Sequence, residues 1–239
     1  MLVEVCANSL QSALNAQEAG ADRIELCSEL GVGGVTPSYG LIQLVKKKLS
    51  IPVHVLIRPR SSHFMYSETE IQVMLANIDF CKEVGVDGIV TGVLDVDHSV
   101  DWEQMKKLVK RIKPLHFTFH RAFDWVDDPE ESLRQLDELE IDTILTSGQC
   151  ENALEGLENL QKWQSSSSIA IMAGGGIHPG NSMEFKDAGL KAIHLSGTTF
   201  VNSVPINEKI PMISQKHLSE HHVAVTNSDV IRQTIQRIK

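Results

Sequence analysis

Short runs of β-branched and apolar residues alternate with segments of helical periodicity along most of the chain. The runs predict eight strands, at Leu2–Cys6, Arg23–Cys27, Val53–Arg58, Asp87–Thr91, His116–His120, Asp142–Ser147, Ile169–Ala173 and Ala192–Ser196. The first starts at residue 2 and the eighth at residue 192, so successive starts lie about 27 residues apart, the length of one strand–helix unit. Eight such units in 239 residues match a closed barrel, whereas an open doubly wound sheet ordinarily has fewer. The expected fold class is therefore α/β: a TIM-like (β/α)8 barrel forming one domain over 1–239. Its core spans 2–200, with a C-terminal loop and closing helix over 201–239.

The intervening segments carry helix start and stop signals. Thr36 as N-cap and Pro37 at the first helical position precede Leu41, Leu44, Val45 and Lys48. Ser67 and Glu70 form a capping-box pattern ahead of Ile71, Met74, Leu75 and Ile78. Asp101 precedes Met105, Leu108, Val109 and Ile112, and Asp128-Pro129 opens Leu133, Leu136 and Leu139. Gly20 and Gly85 stand where helices end. Ser165 to Ser168 reads as a surface loop, and Ile231, Ile235 and Ile238 mark a last helix that closes the ring.

Composition narrows the function classes. With 42% hydrophobic residues the chain can bury a large core, and no stretch approaches the roughly 20 apolar residues of a membrane span. A net charge of −9 disfavours nucleic acid and anionic lipid as partners. The one strong basic run, Lys46-Lys47-Lys48, closes a helix, where cations complement the dipole. The N-terminus lacks a signal-peptide layout. Cys6, Cys27, Cys81 and Cys150 are spread out with no C-x-x-C pair, which reads as reduced thiols and a cytoplasmic location.

Alternation along each strand sends one set of side chains to the helices and the other to the barrel axis. Val3, Val5, Ile24, Leu26, Val53, Val55 and Ile57 suit the helix layer, as do Phe117, Phe119, Ile193 and Leu195. That leaves Glu4, Cys6, Glu25, Cys27, His54, Leu56, Arg58, His116, Thr118, His120, His194 and Ser196 inside. Interior charges cost several kcal/mol each unless paired, so they must form one network. Such a network either fills the barrel as a salt-bridge layer or builds a pocket at the C-terminal strand ends, where barrel proteins place their chemistry.

Cys6 and Cys27 end neighbouring strands in the matching patterns Glu-Val-Cys and Glu-Leu-Cys. Two thiols so placed can meet across the roughly 4.8 Å between strands, and soft thiolates select Cu(I) or zinc; the alternative is that they pack as small hydrophobes. Cys81 and Cys150 read as packing or surface positions. Gly174-Gly175-Gly176 after strand seven, and Ser196-Gly197 after strand eight, can expose backbone N–H groups to an anion. Arg58 and Arg60 would add counter-charge, and Arg121 and Asp124 could orient His120 as a titratable group. His217, His221 and His222 read as a solvated group rather than a metal site. No P-loop, H-E-x-x-H, G-x-S-x-G or EF-hand pattern is present.

Several stretches resemble the CutC family, the copper homeostasis proteins. They are Glu4-Val5-Cys6, residues 19–27 from Ala19 to Cys27, Gly33-Gly34-Val35-Thr36-Pro37-Ser38, and Ile57-Arg58-Pro59-Arg60. Further along come Thr118-Phe119-His120-Arg121-Ala122-Phe123-Asp124, Leu145-Thr146-Ser147-Gly148 and Gly174-Gly175-Gly176, so the resemblance runs in order from residue 2 to about 200. It implies a TIM-like barrel, a cytoplasmic location, self-association as dimers or higher, and Cys6 and Cys27 as ligands of copper as Cu(I). Two departures stand out: Ser61-Ser62-His63 where many relatives have Gly-Gly-Asp, and the stretch after Phe200.

Two functions from different classes follow. One is a copper-binding protein with Cys6 and Cys27 as metal ligands. The other is a barrel enzyme of lyase, isomerase or hydrolase type acting on a small anionic or phosphorylated metabolite. Its candidate catalytic residues are Glu25, Arg58 and His120. Its anion would be held by Arg60, Thr146, Gly174, Gly175, Gly176, Ser196 and Gly197.

Overall fold

A computed structural model describes residues 1–202 and 222–239. Eight parallel strands close into a barrel in the order of the chain: β1 (Leu2–Ala7), β2 (Arg23–Leu26), β3 (Val53–Leu56), β4 (Gly88–Thr91), β5 (His116–Phe119), β6 (Thr143–Thr146), β7 (Ala170–Gly174) and β8 (Ala192–Leu195). Between them run α1 (Leu10–Glu18), α2 (Tyr39–Lys48), α3 (Glu68–Val84), α4 (Trp102–Ile112), α5 (Pro129–Glu138), α6 (Leu157–Ser166) and α7 (Ser182–Asp187). All eight expected strands form, each within about two residues of its expected ends.

The helices start where short polar side chains satisfy free backbone N–H groups. Ser67 and Glu70 complete the capping box of α3, and Asp101 and Asp128 cap α4 and α5. The expected start of α2 is corrected: Ser38, not Thr36, accepts from the Leu41 N–H, and Thr36 instead exchanges hydrogen bonds with the Arg58 backbone. With the helix phased from Ser38, Ile42 and Val45 turn inward and Leu44 is exposed. Ser165 and Ser166 are likewise not loop but the last turn of α6.

Beyond β8 the expectation of a plain loop is corrected. β9 (Thr198–Asn202) and β10 (His222–Thr226) pair antiparallel, Thr198 facing Thr226, and lead into α8 (Ser228–Ile238). As expected, α8 buries Ile231 and Ile238 and packs between α7 and α1, completing the outer ring. Among the described residues no helix is long and apolar enough to cross a membrane.

The outer core lies between strands and helices, built from Val3, Val5, Ile24, Leu26, Val55, Ile89, Phe119 and their neighbours. Inside the barrel the side chains stack in layers. Leu2, Met172 and Ala192 cluster near the N-terminal end with Leu145, which also reaches up to the cavity at the other end. Above them the Glu4 carboxylate is fully buried: Arg23 Nε donates to it at 2.5 Å, His194 Nδ1 meets it at 2.8 Å and His54 Nδ1 stands 3.8 Å away. Burial opposes ionisation of Glu4, but the Arg23 charge and the His194 hydrogen bond outweigh it and hold the carboxyl well below the usual carboxylate range.

Because folding lowers the Glu4 pKa, its contribution to stability is complete above the ordinary value of 4.5 and is lost as pH falls below it. Replacing Glu4 by Gln leaves Arg23 without its buried counter-charge and should cost roughly 3–5 kcal/mol. Urea unfolding over acid to neutral pH checks this: the parent should lose stability more steeply on acidification than the variant, which lacks that carboxyl.

Candidate functional site

The C-terminal end of the barrel opens into a cavity of about 310 Å³, small for a ligand site but within the usual range. Strand parity brings Cys6 from β1, Glu25 from β2 and His194 from β8 to its floor, and their ligand atoms lie within 4.8 Å of one another. The Cys6 and Cys27 sulfurs are 3.5 Å apart, and the Cys6 thiol reaches Glu25 Oε1 at 3.8 Å. Both thiols face inward, with Leu56 and Val90 beside them. Cys27 is sealed from the cavity by Gly34, where an added Cβ would stand 2.8 Å from Leu56 Cδ2 and 3.4 Å from Cys27 Cβ. The pair is therefore reached through Cys6.

Charge on this floor is finely balanced. Burial and the neighbouring Glu4 carboxylate push the Glu25 carboxyl up to about 7, and its Oε2 has no partner. Burial disfavours protonation of His194, but Glu25 and the hydrogen bond to Glu4 prevail and raise it above its ordinary value. The hydrogen bond with Cys27, then burial, raises the Cys6 thiol well above the normal thiol range. Since Nδ1 of His194 donates to Glu4, the ring's second nitrogen is left as its ligand atom, the arrangement in which carboxylates orient metal-binding histidines.

Arg58 stands beside this group, but its end groups are engaged. Nη1 donates to the carbonyls of Val32 and Gly34, and Nη2 donates to that of Ser62; Nε alone is left without a partner. It thereby ties the loop after β2 to the Ser61-Ser62-His63 segment. Phe64 follows that segment and packs against His120 with ring centroids 4.8 Å apart. Neither Phe64 nor Leu30, which also lines the cavity, was an expected site residue. A single apolar residue in a polar loop gives little sequence signal.

The expected orientation of His120 is corrected. Its Nδ1 accepts from the Ala122 N–H at 3.2 Å, while Asp124 bonds to Arg121, Thr146 and Ser147 instead. Burial, aided by Arg58, lowers His120 to about 3, so the ring is neutral near pH 7. Its proton therefore sits on Nε2, which is buried and unpartnered.

The expected anion-binding group divides. Gly175, Gly176 and Ser196 line the cavity. Arg60 does not: it reaches away to Glu70 at the start of α3 and to the carbonyls of His63 and Met65. Thr146 is fully buried, its hydroxyl donating to Asp124 and accepting from the Gly148 N–H. Gly174 lies within β7 against Leu145, and Gly197 accepts from the Asn227 N–H at the base of the ribbon. Cys81 is buried in α3, as expected for packing. His222 is exposed on β10, whereas His217 and His221 lie outside the described residues.

The model of the CutC family matches residues 1–199. Among solved structures, the CutC protein of Streptococcus agalactiae, named for copper homeostasis, aligns at a TM-score of 0.78 and 32% identity. That alignment covers 82% of this chain and 98% of the other. Thiamine phosphate pyrophosphorylase from Pyrococcus furiosus aligns at 0.60 and 15% identity, over 99% of this chain and 95% of its own. A monomeric form of phosphoribosylanthranilate isomerase from Thermotoga maritima aligns at 0.59 and 14%, over 100% and 98%. These last two share the barrel, and at such identities the likeness extends to fold alone.

The Glu25 pKa is raised on folding from 4.5 to about 7, so its contribution favours the folded state below 4.5 and is lost as pH rises through 7. Glu25→Gln should remove that loss, giving a flatter profile of unfolding free energy across this window. An unchanged slope in denaturant titrations would show that Glu25 ionises normally.

Proposed function

Because the chain belongs to the CutC family, we propose that it is a copper-binding protein of copper homeostasis that holds Cu(I) through Cys6 and Cys27. The observation that carries this reading is the 3.5 Å separation of the two sulfurs, with Cys6 at the floor of an open cavity. The donor set fits the ion. Two thiols are soft ligands that prefer Cu(I) to hard cations, and the imidazole of His194 is a suitable third donor. Glu25 is a poor ligand for so soft an ion, but its Oε1 accepts from the Cys6 thiol at 3.8 Å, which suits it to pass on the proton that the thiol gives up. The four cysteines are all free, which fits the reducing cytoplasm. Self-association as a dimer or larger assembly belongs to the same proposal.

Since Cys6 is held as a thiol by its Cys27 hydrogen bond and by burial, Cu(I) binding must displace protons and should tighten as pH rises. Anaerobic titration against a competing Cu(I) chelator tests both points. The double variant Cys6→Ser/Cys27→Ser should bind at least about tenfold more weakly than the parent. Equal affinity in a variant that retains the parent's near-UV circular dichroism would end the proposal.

A further inference from the structure

The thiols occupy one side of the cavity; the other side has a different chemistry. Gly175 and Gly176 follow β7 with φ of +108° and +74°, backbone conformations that L side chains rarely adopt. Their amides donate to no hydrogen bond among the described residues. Above them lies Arg121, whose Nη1 is 3.5 Å from the point where a Gly175 Cβ would stand. Arg121 is fixed there from behind: Nε donates to Asp124 and Nη2 to the Ser147 hydroxyl, leaving Nη1 unused. Close by, His120 and Glu25 line the same space, and their buried Nε2–H and Oε2 have no partner. Buried polar groups are ordinarily satisfied, so unpartnered ones from separate strands around one cavity point to a ligand.

We propose that this side of the cavity binds a small phosphate monoester. The phosphate sits on the Gly175 and Gly176 amides and Arg121 Nη1. The carbon body extends toward Leu30, Leu56 and Phe64, and oxygen substituents on that body meet His120 Nε2–H and the Glu25 carboxyl. A phosphate group suits this corner because its several terminal oxygens can accept from the two amides and the guanidinium together, and charge-assisted bonds of this kind are strong. The cavity of about 310 Å³ limits the ligand to a few carbons beyond the phosphate. The site uses neither thiol, so it stands or falls separately from the Cu(I) reading.

Inorganic phosphate is the probe, titrated at constant ionic strength and followed by calorimetry and by amide NMR, with acetate in a parallel arm. Saturable phosphate binding that shifts the Gly175 and Gly176 amide resonances is expected, with acetate much weaker. Arg121→Gln should weaken phosphate by about tenfold, and Arg121→Lys should recover most of that loss. Arg111→Gln, which removes the same charge from an exposed pair between Arg111 on α4 and Asp79 on α3, should change nothing. The proposal is overturned if phosphate does not saturate, if the two glycine amides do not move, if acetate binds equally well, or if Arg111→Gln weakens binding as much as Arg121→Gln.

Discussion

A fully buried carboxylate sets the terms for the inside of this barrel. Glu4 has no access to water, so its charge is tolerated only because Arg23 and His194 contact it directly and His54 stands close by. These partners come from β2, β8 and β3, which flank β1 or lie one strand beyond it. One residue of register slip in any of them would turn its partner out among the apolar helices. Satisfying Glu4 therefore also fixes which side chains stand one layer higher: Cys6 two residues along β1, Glu25 two along β2 and Ser196 two along β8. Arg23 extends the network across the axis, with Nη1 3.4 Å from His116 Nε2 and Nη2 3.7 Å from the Met172 sulfur.

The cavity above that layer is asymmetric. On the β1–β2 side the lining is soft and acidic, and Cys27 is shut behind the loop that Arg58 ties down. On the β5–β7 side it is cationic and rich in free donors, because Asp124 consumes only part of Arg121 and the two glycines leave their amides open. Arg58 contributes differently from Arg121. With two of its nitrogens donating to three carbonyls, it shapes the rim from loops after two different strands and adds positive charge without offering its end groups.

Strand parity was legible in the sequence because the outward positions are so consistently β-branched or aromatic. Val3 and Val5, Ile24 and Leu26, and Phe117 and Phe119 left the polar set a single direction to face. Cys6, Cys27, Glu25, Arg58, His120 and His194 follow from that rule alone. What it does not encode is how a long side chain is used once it leaves its strand. Arg60 lies beyond the end of β3, where alternation no longer holds, and the capping carboxylate Glu70 draws it off the mouth. Thr146 and Asp124 find each other across a gap of 22 residues, which removes both from the roles their neighbours suggested. The ribbon of β9 and β10 was missed because its strands are separated by a long stretch, so no short turn signal marks a hairpin.

Glu25 joins the two sides. It borders the Cys6 thiol through Oε1 and leaves Oε2 free, and its proton is shared in effect with His194 and Glu4. Arg23 is committed mainly to the Glu4 carboxylate, so an ionised Glu25 is balanced chiefly by protonation of His194, and an added thiolate would raise the negative charge further. Burial, with this shortage of counter-charge added, pushes the Glu25 carboxyl up to about 7, while the Cys27 hydrogen bond and burial keep Cys6 a thiol. A cation at the sulfurs reverses this logic: it favours the thiolates and the charged carboxylate together, and so releases protons. An anion at Gly175 and Arg121 acts the other way, raising the cost of an ionised Glu25 and holding its proton in place. Opposite charges at the two ends of so small a cavity would therefore influence each other through one carboxyl group.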